Sequence, residues 1–162
     1  MTRYALLLVP LLSLTATACA AAASPWDKPT PKLAGAAELT VHRSASCGCC
    51  KNWMAHMEKH GFVLKDQPSA DMDAVKARLG VPDYLASCHT AVVDGYLVEG
   101  HVPAGDVKAL LTAKKGTAAG LAVPGMPAGT PGMEMGDKKD RFRVIVFDKA
   151  GNADQFREYD QY

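Results

Sequence analysis

The chain has 162 residues, of which 48% are hydrophobic and 22% charged, and its formal net charge is +1. That is an ordinary soluble composition, enough for one domain and not for two. The near-neutral balance offers no electrostatic footing for nucleic acid or for an anionic membrane surface.

Residues 1–23 read as an export leader. Arg3 gives a short positive start, and Tyr4 to Leu14 are apolar apart from the break at Pro10. Small residues follow, and Ala21-Ala22-Ala23 before Ser24 fits an A-x-A cleavage site. The apolar run is too short for a membrane span. The expectation is a soluble periplasmic protein. A second reading lipidates Cys19, but the usual lipoprotein signal has a leucine where this chain has Ala16. Loss of the leader removes Arg3 and leaves a net charge of zero.

Residues 24–36 carry Pro25, Pro29 and Pro31 and read as a flexible tether. A folded domain is expected over 37–162. Glu38 to His42 is a first strand. A helix over Lys51 to His60 turns Trp53, Met54 and Met57 to a core and stops at Gly61. Phe62-Val63-Leu64 is a second strand. A second helix carries Met72, Val75 and Leu79 and ends at Gly80. Thr90 to Val93, Asp94-Gly95 and Tyr96 to Val98 make a hairpin with a two-residue turn. Pro103 opens a third helix bearing Val107, Leu110 and Leu111, closed by Gly116. The order β-α-β-α-β-β-α predicts an α/β, thioredoxin-like fold, a central mixed sheet flanked by helices. Residues 116–140 are dense in glycine and proline and predict a long irregular loop, of the kind that is usually functional. Arg141 to Phe147 and Gln155 to Tyr159 predict a C-terminal strand pair.

The chemistry gathers at Cys47-Gly48-Cys49-Cys50, three thiols in four residues. Their place between a strand and a helix puts them at a helix N-terminus, where the dipole and unpaired N–H groups lower thiol pKa. Such a cluster either exchanges disulfides or holds a soft metal ion. The mature domain would keep Cys47, Cys49, Cys50 and Cys88. In an oxidising compartment four cysteines would by default form two disulfides. A vicinal Cys49–Cys50 bond is strained, and a Cys47–Cys50 C-x-x-C pair leaves Cys49 and Cys88 over. That surplus argues for metal. Soft sulfur ligands select Cu(I), and thiolates also take zinc.

Cys88-His89 opens the hairpin, where a thioredoxin-like fold faces the C-x-x-C. Disulfide oxidoreductases carry a cis-proline there. Here the run is Ser87-Cys88-His89-Thr90, and a Cys-His pair invites a metal. His89 as a solvent-facing strand residue and His101 as a surface loop histidine are the competing readings. His42 is a weaker candidate, and His56 and His60 are expected to be solvated. Met126, Met133 and Met135 lie in the irregular loop, where they either pack as an apolar lid or offer thioethers to Cu(I). Met54 and Met57 are at core spacing.

These segments carry a resemblance. Cys47-Gly48-Cys49-Cys50 with Trp53, Ser-Cys-His-Thr-Ala at 87–91, Val-Asp-Gly-Tyr at 93–96, Glu-Gly-His-Val-Pro at 99–103 and Gly-Leu-Ala-Val-Pro-Gly-Met-Pro at 120–127 resemble the CopG-type periplasmic copper-resistance proteins. The resemblance covers about residues 38 to 160. It implies a thioredoxin-like domain that binds copper through the C-x-C-C thiols and the Cys-His pair, in detoxification by sequestration or by cycling between Cu(I) and Cu(II). On that reading Cys47, Cys49, Cys50 and Cys88 hold one or more Cu(I) ions, with a multinuclear cluster within reach of bridging thiolates. His89 and His101 complete the coordination and make Cu(II) accessible, and Met126 and Met133 cover or feed the site. Copper ions, and other periplasmic copper-handling proteins, are the expected partners. An enzymatic and a storage role both remain open. The alternatives are a thiol-disulfide oxidoreductase using Cys47 and Cys50, a copper-delivery module for an oxidase, and a structural Cys₃His zinc site.

Overall fold

The structure is a computed structural model and describes residues 24–113 and 116–162. The leader and Cys19 fall outside the described residues. The chain forms β1 (Ala37–Arg43), α1 (Gly48–Lys59), β2 (Phe62–Pro68), α2 (Met72–Leu79), β3 (His89–Val93), β4 (Tyr96–Glu99), α3 (Ala104–Ala113), β5 (Ala118–Ala122), β6 (Phe142–Asp148) and β7 (Ala153–Tyr159). Local signals set most of these bounds. Asp71 caps α2 by accepting from the Ala74 N–H at 2.9 Å, and Gly80 ends it in the left-handed region at φ 80°. Asp94 and Gly95, both at positive φ, turn β3 into β4.

The seven strands form one mixed sheet in the order β2-β1-β3-β4-β5-β6-β7. β1 runs parallel to β2, and β4 parallel to β5; the other neighbours are antiparallel. The β1–β3 register sets Arg43 opposite His89 and His42 opposite Thr90. The end of β1 therefore lies beside the start of β3. Side chains alternate across the sheet. Leu39, Val41, Ala91, Val93, Val98 and Leu121 pack with Trp53 and Met57 of α1 and Val107 and Leu110 of α3. Leu97, Ala122 and Phe147 form a smaller cluster with Val81 and Leu85, which follow α2.

Two expectations are corrected. The glycine-rich stretch 116–140 is not wholly irregular, since Ala118–Ala122 is a strand. Gly120 makes it one. A side chain there would meet the Leu97 carbonyl oxygen at 2.1 Å, so only glycine lets β5 lie against β4. The second concerns residues 24–36, expected as a tether. Their first part is docked on the domain. Trp26 is buried, its Nε1–H donates to the Gly129 carbonyl at 2.7 Å, and its ring packs edge-on against Phe142 and Tyr159 and tilted against Tyr162. Further along, Lys108 Nζ donates to Thr30 Oγ1, Thr30 donates to His60 Nδ1, and His60 Nε2–H donates to the Trp26 carbonyl.

The crowding at Gly120 is testable. Gly120→Ala should lower stability by about 2–3 kcal/mol by forcing β4 and β5 apart. Urea unfolding of the two proteins would measure it, and an unchanged midpoint would refute the close approach.

Candidate metal centre

The thiol turn begins where β1 ends. Arg43 is buried there and pairs with Asp66 at 2.5 Å. Its Nη1 also donates to the Ser44 and Ala45 carbonyls at 2.9 and 3.2 Å. The guanidinium thus pins the turn that presents Cys47. Cys47 caps α1, its sulfur accepting from the Cys50 N–H at 3.3 Å. Cys49 and Cys50 occupy the first turn of the helix, which starts three residues earlier than the sequence pattern implied. The helix-terminus placement expected for the thiols is met.

Cys88 arrives from the other side, just ahead of β3. The Sγ atoms of Cys47, Cys49, Cys50 and Cys88 lie within 4.8 Å of one another. Cys47 and Cys49 sulfurs are 3.6 Å apart, and Cys50 Sγ is 3.8 Å from the Cys88 carbonyl oxygen. Cys47 and Cys50 are joined as a disulfide, and Cys49 and Cys88 are free. Cys88 also belongs to a second group. Its sulfur stands 3.2 Å from His89 Nδ1 and 3.1 Å from His101 Nε2, and the three ligand atoms lie within 4.8 Å of one another. One sulfur is therefore shared between an all-sulfur group and a sulfur–imidazole group.

Both imidazoles are fully buried, so neither competing surface reading holds. His101 Nδ1–H donates to the Pro131 carbonyl at 2.8 Å, which fixes the tautomer and leaves the Nε2 lone pair facing Cys88. His89 lies 4.3 Å from the Trp53 ring, and its Nε2 is buried without a partner. With His89 Nδ1 and His101 Nε2 both turned to the Cys88 sulfur, the donor set fits a soft metal ion. Burial holds both histidines below the ordinary value of 6.5, so both are neutral at pH 7. Burial, followed by the neighbouring Cys49 sulfur, pushes the Cys88 thiol up to about 12. A cation would have to displace its proton.

The loop after β5 closes over the site. Gly132, at φ +82°, lies so close that a Cβ would meet the Trp53 amide at 2.5 Å and the Cys49 carbonyl at 2.9 Å. Pro131 holds His101. Met133 is half-buried, whereas Met126 and Met135 are 55% and 60% exposed. The expectation that His56 and His60 are solvated is corrected. His60 is buried beneath Trp26, and His56 Nε2 accepts from the Ala104 N–H at 3.0 Å, capping α3. Arg43, Pro131, Gly132 and Glu99 act at the site without being singled out by the sequence reading. Only Glu99 had a signal, its place in Glu-Gly-His-Val-Pro.

A mixed α/β domain that brings four sulfurs and two neutral imidazoles into two groups joined at Cys88 is a candidate metal-binding protein. Two solved structures are similar to it. One, described as copper resistance protein CopG, form 2, has a TM-score of 0.74 and is 49% identical, covering 78% of this chain and 100% of its own. Form 1 of the same protein gives 0.73 at 50% identity, covering 77% and 98%. A family model described as a protein of unknown function, DUF411, matches residues 85–133, which include Cys88, His89 and His101. No curated protein sequence matches. The chain belongs to the CopG copper-resistance family.

The buried histidines make acid stability a test. In the metal-free protein, His56 (lowered by burial to about 3), His89 and His101 stay neutral where the unfolded chain takes up protons below 6.5. Stability should therefore be full above pH 6.5 and fall as pH drops toward about 3, by at most roughly 1.4 kcal/mol per pH unit per histidine. Thermal melts at pH 7.5 and 5 would show it, and equal midpoints would contradict the burial.

Proposed function

We propose that this chain is an exported copper-binding protein that acts in copper resistance by sequestering copper or cycling it between Cu(I) and Cu(II). Cys47, Cys49, Cys50 and Cys88 hold Cu(I) as thiolates, as one ion or a small cluster. His89 and His101 complete the coordination, and Met126 and Met133 cover the site or feed it. The observation that carries this reading is the convergence of sulfur from the α1 cap and from the start of β3 on two neutral imidazoles. Soft sulfur donors favour Cu(I), and imidazole accommodates both valences. The 49% identity to a copper resistance protein supports copper over zinc.

The finer placement belongs to the same reading. Residues 1–23 are a leader, the protein works in the periplasm with other copper-handling proteins there, and residues 37–162 form a thioredoxin-like domain. The strand order β2-β1-β3-β4 supports that class. Among the described residues no helix is long and apolar enough to cross a membrane.

The Cys47–Cys50 disulfide specifies what binding requires. Two electrons and two protons must open it before all four sulfurs are available. In the opposite sense, the dithiol can reduce two Cu(II) ions to Cu(I), release two protons and become the disulfide. The same bond favours a second reading, a thiol-disulfide oxidoreductase with Cys47 as nucleophile and Cys50 as resolving thiol. Reduction of insulin by the copper-free protein separates the two.

The deciding experiment is anaerobic Cu(I) titration of the reduced protein, with metal analysis and X-ray absorption at the copper edge. A sulfur-dominated shell with some imidazole is expected. Cys50→Ser should abolish tight binding, and a variant that still holds copper at the wild-type stoichiometry would end this reading.

A further inference from the structure

Glu99 is fully buried at the end of β4, directly opposite Thr90 of β3. Opposed residues share a face of the sheet. His89 points the other way, against Trp53 of α1. The Glu99 carboxylate therefore stands behind the sheet as seen from the metal pocket. Its Oε1 accepts from the Ser87 N–H at 2.6 Å and from Lys76 Nζ of α2 at 2.5 Å. Its Oε2 accepts from the Thr90 hydroxyl at 2.5 Å, and Lys76 Nζ also donates to Thr90 Oγ1 at 3.0 Å. Ser87 and Thr90 are the residues on either side of Cys88-His89.

We infer that Glu99 is a positioning residue, a carboxylate that grips the backbone just before Cys88-His89 and the side chain just after it, and so fixes that pair for metal. This rests on the copper reading above. A buried ion pair is a poor device for stability alone, because apolar side chains of similar volume usually fold as well or better. It is a good device for geometry. Cys88 must offer one sulfur to both the thiol group and the imidazole group, which leaves it little freedom. Apart from the carboxylate, Ser87 is held by its hydroxyl to the Gly125 carbonyl, a contact on a loop. Outer-shell carboxylates that orient ligands are typically worth about 10–100-fold in metal affinity.

The test uses the reduced full chain and separates fold from geometry. Lys76→Met/Glu99→Leu removes both charges together, so that neither is left buried and unpaired, and a cooperative melt confirms that it folds. Its Cu(I) affinity, by competition with a Cu(I) chelator, should fall about tenfold or more, with fewer sulfur and imidazole scatterers at the copper edge. Wild-type affinity in the folded double variant would overturn the inference. Should that protein fail to fold, Thr90→Val removes one arm of the grip and should lose affinity severalfold; no loss would count equally against it. A metal-free readout stands apart from the copper reading. Iodoacetamide alkylation of Cys88 should change in rate in the double variant while that of Cys49 does not. A wild-type protein that took up no Cu(I) would defeat the copper reading, and the alkylation rates would still decide the grip: equal rates refute it.

Discussion

The pairing of β1 with β3 is the constraint on which the site depends. Its register ends with Arg43 opposite His89. Adjacent strands lie about 4.8 Å apart. A turn leaving the end of β1 and a residue preceding β3 are therefore neighbours without any long side chain having to reach. Cys47 to Cys50 leave one strand end and Cys88 enters the other. A slip of one residue would turn His89 to the opposite face of the sheet, away from Trp53 and His101. The buried aliphatic row of Leu39, Val41, Ala91 and Val93 makes that slip costly, because it would put the same row out of the core.

The chemistry at the pocket is governed by competition between two fates of the same sulfur atoms. Cys47 and Cys50 satisfy one another as a disulfide, while Cys49 and Cys88 have no such partner. Cys88 lies where two imidazoles are already neutral, one of them oriented by the Pro131 carbonyl. Proton loss from Cys88 is opposed by its burial, so it stays a thiol until a cation arrives. A metal bound at this sulfur would release its proton. Burial of both histidines holds down solvent competition and keeps a protonated imidazole from repelling the ion.

Much of this was legible in the sequence because it is local. The helix cap at the thiols, the Asp94-Gly95 turn and the Gly80 stop each follow from the conformational preference of one or two residues. The meeting of Cys88 with the thiol turn followed from element order. What escaped depends on tertiary contact. β5 is alanine and glycine apart from Leu121, a run with little strand signal, and it lies against β4 because Gly120 fits against Leu97. His56 and His60 lie beyond the first turn of α1, and nothing in that spacing says that Ala104 and Trp26 will cover them. Glu99 looks like any strand-end acid until Lys76 is brought beneath it from α2.

The cover of the pocket depends on stretches far apart along the chain. Trp26 holds the Gly129 carbonyl, and the Tyr162 hydroxyl holds those of Ala128 and Asp140. The Trp26 contact joins residues 103 apart in sequence, and the Tyr162 contacts come from the far side of the sheet. The loop beside the sulfur atoms is therefore tied down by both ends of the described chain.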